Sequence, residues 1–234
     1  MATENKQITL GRFIVTALMT SLFFPAVIML ASGNWRWLEG WLFSLWFDAM
    51  VLSTLIYMYR HDPALLAERA KAPGSDNQKP WDKYLLSLVY LLAMAWLILM
   101  PLDASRFGWS PAFPVWVKVV GGVLLLPALY LIYRATVENT FLSTRVRIQD
   151  ERKQQVISTG VYGFVRHPLY LGCFLMLIGA PLLVGSIYGL ILSLVAVVTL
   201  VVRIIGEEKM LINELEGYEE YKKKVTYRLI PFIW

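Results

Sequence analysis

The sequence predicts an all-α integral membrane protein with about six transmembrane or membrane-embedded helices. Hydrophobic residues make up 57% of its 234 residues, and its mean hydropathy is +0.54, whereas a soluble domain contains roughly 45–50% apolar residues. The excess lies in long runs without charge, which is typical of membrane spans. The single cysteine, Cys173, excludes an intrachain disulfide and a cysteine-based zinc site.

Four apolar runs are each close to the ~20 residues that cross a bilayer. They are Phe13–Trp35, Gly40–Tyr59, Tyr84–Leu102 and Val119–Tyr133. A fifth run, His167–Val202, carries no formal charge and is too long for one helix. Helix breakers interrupt it at Gly179, Pro181, Gly185 and Ser186. We therefore expect a tight hairpin of two short helices, each of about 17 residues, followed by a cytoplasmic amphipathic helix and tail.

The distribution of basic residues predicts the orientation. If the N-terminus is cytoplasmic, all of the 22 Lys and Arg residues except Arg36, Arg106 and Lys118 fall on the cytoplasmic side. Both termini are then cytoplasmic, and the net charge of +5 needs no nucleic acid partner. We expect one structural unit, in which residues 1–134 form a four-helix membrane region and residues 135–234 carry the chemistry.

The stretch "RHPLYLG" begins the fifth apolar run. Pro168 suits a first helical position because its missing N–H would be unpaired there. Arg166 and His167 then lie at a helix N-terminus, where free N–H groups and the helix dipole favour an anion. Tyr170 falls on the first turn, and Gly172 leaves room for close approach. The alternative is a basic residue that marks the inner interface, followed by a proline start.

The stretch "RIIGEE" directly follows the same run. Arg203 and Glu207 are four residues apart and share a helix face, whereas Glu208 points about 100° away. Charge at the membrane boundary is costly, which favours a functional site over a solvated helix end. Further along, Tyr218 and Tyr221 are either interfacial aromatics or walls of a pocket.

The order of motifs resembles a known family. "NTF", "STGVYGFVRHPLYLG", a hairpin, "RIIGEE", "GYEEY" and "VTYRLIPFIW" follow one another across about residues 139–234. This combination resembles the membrane-embedded isoprenylcysteine carboxyl methyltransferases and their phospholipid methyltransferase relatives. The resemblance implies S-adenosylmethionine as the methyl donor, a lipophilic acceptor that enters from the bilayer, and a cytoplasmic cofactor pocket closed by the C-terminal tail.

The residues fit this chemistry. The helix start can bind the carboxylate of the cofactor. Glu207 or Glu208 can bind its ammonium group or ribose hydroxyls, and the tyrosines can contact its sulfonium or stack on its adenine. The predicted cofactor-binding residues are Arg166, His167, Pro168, Tyr170, Gly172, Glu208, Tyr218 and Tyr221. We expect Arg203, with Glu207 fixing its guanidinium, to hold an acceptor carboxylate as the catalytic pair, and Asn139 to contribute to the substrate site. A carboxylate or a thiol is the expected acceptor group.

Two further enzyme classes and one non-catalytic class remain open. Membrane sterol reductases share an Arg-x-Pro-x-Tyr-x-Gly helix start but use NADPH, and their later motif differs from Glu207-Glu208 followed by "KMLINELEG". A phospholipid amine N-methyltransferase would need a proton acceptor. A non-catalytic protein that binds membrane lipids would tolerate substitution of His167 or Glu208. No metal site is predicted, because His61 and His167 lie far apart and neither has a partner at ligand spacing.

Overall fold

The computed structural model describes residues 9–75 and 77–234, and its regular elements in these ranges are all helical. The first eight residues of the predicted N-terminal region lie outside them. The helices are α1 Leu10–Ser32, α2 Leu38–His61, α3 Pro63–Arg69, α4 Pro80–Pro101, α5 Val115–Glu138, α6 Pro168–Val184, α7 Ile187–Glu214 and α8 Tyr218–Lys224. A π-helical segment, Leu102–Phe107, continues α4, and short 3₁₀ turns cover Asp150–Arg152 and Gly160–Gly163.

Five of the described helices are long and apolar enough to cross a membrane, namely α1, α2, α4 with its π-helical extension, α5 and α7. The all-α membrane fold is thereby confirmed. The sixth apolar helix, α6, has 17 residues. The predicted hairpin turn is confirmed at Gly185, which has φ +82°, and Ser186, whose hydroxyl caps α7.

The second hairpin helix continues without a break into the expected amphipathic helix. The apolar run supplies about 17 of its residues, whereas α7 has 28 and ends at Glu214. Gly206 lies inside α7, where a Cβ would come within 2.6 Å of the Trp81 ring, so this glycine admits a large side chain from α4. The expected amphipathic C-terminal helix is divided: α7 ends, Gly217 adopts φ +81°, and α8 begins.

Glycines bring α5 and α6 into close contact. A Cβ on Gly121 would lie 2.4 Å from the backbone nitrogen of Leu183, and one on Gly179 would lie 2.8 Å from the carbonyl oxygen of Gly121. Small residues allow such backbone contact, which drives helix association in lipid because burial of apolar surface contributes little there. We call this contact the glycine seam.

Polar contacts define two ends of the helix bundle. At the first, which we call the loop end, the segments 62–79, 139–167 and 215–234 meet; for example, Lys79 N–H donates to Val146 O (3.0 Å). At the opposite end, the buried Asp103 accepts hydrogen bonds from the hydroxyl groups of Ser110 (2.7 Å) and Ser186 (2.6 Å). Asp103 thus ties the hairpin turn to the end of α4.

Candidate active site

A cavity of about 350 Å³ lies at the loop end, and we call it cavity 1. Residues from α3, α4, the 139–167 segment, the start of α6, α7, Leu215 and α8 line it. The sequence-predicted site residues among them are Asn139, Arg166, His167, Pro168, Tyr170, Arg203, Glu207, Tyr218 and Tyr221. Most of the predicted residues are therefore brought together. Gly172 and Glu208 are the two that do not line the cavity.

The helix start at Arg166 is occupied by the C-terminal tail. The Arg166 guanidinium donates to the carbonyl oxygens of Val225 (2.7 Å) and Thr226 (2.8 Å). The backbone N–H of Arg166 donates to Tyr227 O and that of His167 to Arg228 O, both at 3.0 Å. In the predicted anion-binding corner, the tail therefore occupies the backbone N–H groups of Arg166 and His167 and part of the Arg166 guanidinium.

Glu208 completes the attachment of the tail. Its carboxylate accepts from Arg166 Nε at 2.5 Å and also pairs with the Arg228 guanidinium. The Arg228 guanidinium in turn lies 4.7 Å above the Trp234 ring. Glu208 thus acts on α8 and the tail, and the structure does not place it where the sequence predicted a direct cofactor contact.

A tyrosine connects the predicted catalytic pair. Arg203 Nη1 donates to the Tyr170 hydroxyl (2.9 Å), which donates to Glu207 Oε2 (2.7 Å). Arg203 Nε donates to Asp82 Oδ1 at 2.7 Å. The guanidinium charge is therefore balanced by Asp82 on α4. Glu207 has no ion-pair partner among the described residues, so its negative charge is available to a ligand in cavity 1.

Buried polar atoms of the cavity lining that have no hydrogen-bond partner among the described residues include His167 Nε2 and the Tyr218 hydroxyl. Burial lowers the pKa of His167, and the nearby Glu207 and Glu208 oppose this only in part. Burial, reinforced by the two acidic residues, raises the pKa of Tyr218. Because unpaired buried polar groups are costly, these atoms indicate a polar ligand.

Asn139 and Tyr221 shape the wall of cavity 1. The Tyr221 hydroxyl donates to Tyr162 O (2.7 Å), and Asn139 Nδ2 donates to the Tyr162 hydroxyl (3.2 Å). Asn139 Oδ1 also accepts from the Phe141 N–H (2.9 Å), which turns the chain after α5. These polar atoms are already paired, so both residues position the wall.

Gly172 contributes to packing. A Cβ at this position would lie 2.7 Å from Ile132 Cγ1 and 3.1 Å from Ala128 O on α5. The close approach that the sequence predicts is therefore confirmed, but its partner is a helix and not a cofactor. Gly172 extends the glycine seam toward the loop end.

Sequence reasoning missed the acidic residues that hold the 143–149 segment over cavity 1. Glu68 on α3 accepts from Arg145 (2.7 Å) and Arg147 (3.1 Å). Burial alone would raise its pKa, but hydrogen bonds from Lys71, Arg147 and Ser143 hold the pKa of Glu68 below its usual range. Glu68 lies in the stretch "DPALLAER" and Asp82 in "KPWDK". The acidic residues inside these two loop motifs were the sequence feature that could have indicated this role.

Within residues 9–75 and 77–234, no group of three or more His, Cys, Asp or Glu residues is arranged to hold a metal ion. The site is built from guanidinium, carboxylate, imidazole and phenol groups.

Comparison with known proteins supports the predicted resemblance. Residues 119–213 match the model of the Isoprenylcysteine carboxyl methyltransferase (ICMT) family. A relative from Schizosaccharomyces pombe, named Protein-S-isoprenylcysteine O-methyltransferase, is 38% identical over 72 residues. This match covers 30% of the present chain and 30% of the relative. The matched family region runs from within α5 to near the end of α7, and the resemblance is confirmed over it.

Proposed function

We propose, from the match of residues 119–213 to the isoprenylcysteine carboxyl methyltransferase family, that this chain methylates a lipophilic acceptor with S-adenosylmethionine. The acceptor is an isoprenylcysteine-like carboxylate. One observation carries the proposal. Cavity 1 is formed largely by this matched region, and it combines the unpaired His167 Nε2, the unpaired Tyr218 hydroxyl and the carboxylate of Glu207.

The residues of cavity 1 fit the cofactor. Its volume of about 350 Å³ lies within the range of small-molecule sites. Glu207 would hold a cationic group, and the unpaired atoms of His167 and Tyr218 would bind polar groups of the ribose, adenine or amino acid moiety. Arg166 would act indirectly, because its donors already bind the tail and Glu208.

When bound, S-adenosylmethionine supplies a methyl group activated by a positively charged sulfur. Transfer of that methyl group to an acceptor carboxylate would yield S-adenosylhomocysteine and a methyl ester. A carboxylate needs no general base, so the side chains of cavity 1 need only orient the reactants. Tyr170 and Arg203 fix the Glu207 carboxylate, while α8 limits the access of water.

We further propose that the loop end faces the cytoplasm, with both termini on that side. The asymmetry of Lys and Arg residues supports this orientation. The lipophilic acceptor would then enter sideways from the bilayer, and the water-soluble cofactor would enter from the cytoplasm. Surrounding membrane lipids are the other expected partners.

Calorimetric binding of S-adenosylhomocysteine to the detergent-purified chain tests the cofactor assignment, with NADPH measured in parallel. We expect S-adenosylhomocysteine alone to bind, and Glu207→Gln to weaken it by about 10-fold or more, since hydrogen bonds to charged groups contribute about 1.5–3 kcal/mol. The matched control is Glu216→Gln, which changes an exposed acid outside cavity 1. Binding of NADPH alone would favour a reductase, and binding of neither would refute a site for either cofactor.

Turnover is measured with methyl-labelled S-adenosylmethionine and an N-acetylated S-farnesylcysteine. The expected product is a base-labile methyl ester. Label in this substrate that resists base treatment would show that the methyl group is not transferred to its carboxylate.

A further inference from the structure

A second cavity, of about 430 Å³, lies among the membrane-spanning helices, and we call it cavity 2. Its lining comes from α1, α2, α3 and α5, with Ala70 and Thr144 from the adjoining loops. The lining residues from the first two helices are Phe13, Thr16, Met50, Val51, Thr54, Leu55 and Met58. Apart from one cation at its loop end, the described lining is apolar or hydroxyl-bearing. Such a space suits a hydrocarbon chain.

That cation is Arg69, the last residue of α3, and it lines both cavities. Thr144 also lines both of them. The two cavities therefore lie next to each other at Arg69 and Thr144. A molecule with a polar head and a long apolar tail can place its head in cavity 1 and its tail in cavity 2.

Arg69 is half-buried, and it differs from the buried Arg166 and Arg203 in its partners. Arg166 and Arg203 each pair with a carboxylate, at 2.5 Å and 2.7 Å. Arg69 has no such pair among the described residues, and its one side-chain hydrogen bond is from Nη1 to Leu142 O at 3.2 Å. Burial lowers the pKa of Arg69, although a guanidinium stays charged in proteins. A half-buried cation without a counter-ion is costly and indicates an anionic ligand.

We propose that Arg69 binds the carboxylate of the acceptor while cavity 2 receives its hydrocarbon chain. This inference rests on the proposed function and changes its residue assignment. Arg203 was the candidate from the sequence, but Asp82 already balances its charge. Arg69 supplies the unbalanced positive charge at the junction where the head of a lipophilic acid must lie.

The assignment has a consequence for product release. Methylation converts the carboxylate into a neutral ester, so the product loses its ion pair with Arg69. The acid should therefore bind more tightly than its ester, and the product should leave without being held by charge. Because the ion pair weakens as the reaction proceeds, Arg69 contributes more to acceptor binding than to the chemical step.

The test compares the affinities of N-acetyl-S-farnesylcysteine and its methyl ester for the wild-type chain, Arg69→Gln and Arg69→Lys. We expect Arg69→Gln to weaken acid binding by about 10- to 100-fold and to bring the acid-to-ester affinity ratio near one. The lysine variant should keep most of the preference for the acid. An unchanged ratio in Arg69→Gln, or no preference in the wild type, would overturn the proposal.

Kinetics give a second readout of the same variant. We expect Arg69→Gln to raise KM for the acid by a similar factor and to change kcat by less than about threefold. A parallel fall of kcat and kcat/KM would contradict a binding role. Binding of S-adenosylhomocysteine within about twofold of wild type reports an intact cofactor site, so failure of this inference is distinguished from failure of the proposed function.

Cavity 2 is tested by filling it. Thr54→Phe places a ring in the cavity, whereas Ile56→Phe adds the same ring at a position on α2 that is 42% exposed and does not line the cavity. Thr54→Phe should raise KM for the farnesyl acid by about tenfold and affect the shorter geranyl acid by less than about threefold, since less apolar chain needs burial. Ile56→Phe should affect neither substrate. If Thr54→Phe affected both acids equally, or affected neither, the hydrocarbon chain of the acceptor would bind outside cavity 2.

Discussion

Replacement of Glu208 by Gln should loosen α8 and the tail without removing any group that lines cavity 1. The Glu208 carboxylate is 2% exposed and pairs with Arg166 and Arg228. A neutral amide cannot balance both guanidinium charges. The Arg228 side chain is 24% exposed and can turn toward water, whereas that of Arg166 is 5% exposed and stays buried.

The structure sets the size of this effect. Removing one partner of a buried ion pair costs about 3–5 kcal/mol, because the remaining charge stays buried. Arg166 keeps its hydrogen bonds to Val225 O and Thr226 O, so we expect the lower end of this range. A cost of about 3 kcal/mol shifts the equilibrium toward a detached tail by about 100-fold.

Two assays measure the shift in the detergent-purified chain. Trypsin should cleave faster near Lys222–Lys224 and Arg228, because detachment exposes this backbone. If the form with the detached tail predominates, Tyr218 and Tyr221 leave cavity 1. The Kd of S-adenosylhomocysteine should then rise by up to about 100-fold. Glu220→Gln, at an exposed position on α8, is the matched control. Cleavage and Kd within about twofold of wild type would show that the ion pairs do not hold the tail.

Three further outcomes are expected. Gly172→Val should destabilise the chain by about 1–3 kcal/mol, seen as a lower Tm, because its side chain would meet α5. Asp103→Asn should lower Tm by weakening the buried acceptor at the hairpin turn; an unchanged Tm would contradict that role. Burial lowers the pKa of His167 in the folded chain from the ordinary value of 6.5. Below pH 6.5 the unfolded chain therefore binds a proton at His167 more readily than the folded chain, and stability should fall as the pH falls. Compared with wild type, His167→Gln should show a smaller Tm loss between about pH 7.5 and 5.5.

Local chemistry made much of the fold predictable. Pro168 begins α6 and Gly185 ends it, as the sequence predicts, because each residue imposes its own backbone geometry. The long apolar runs likewise identify the helices, although several helices extend beyond the runs, most of all α7 at its C-terminal end.

The pairing of charges was less predictable. Arg203 and Asp82 are separated by 121 positions, and helix periodicity says nothing about such a contact. The same limit applies to Arg166, whose position at a helix start indicated an anion site until the tail carbonyls were seen to occupy it. Sequence therefore identified most residues around cavity 1, but their division between ligand binding and tail attachment required the three-dimensional structure.

The glycine seam determines which side of cavity 1 can move. The 139–167 segment leaves α5 and returns to α6, and these helices are in backbone contact at Gly121 and Gly179. Both ends of the segment thus belong to one rigid body. We therefore expect the water-soluble cofactor to exchange by displacement of the opposite wall, α8, and the rate at which that wall opens would then set an upper limit on turnover.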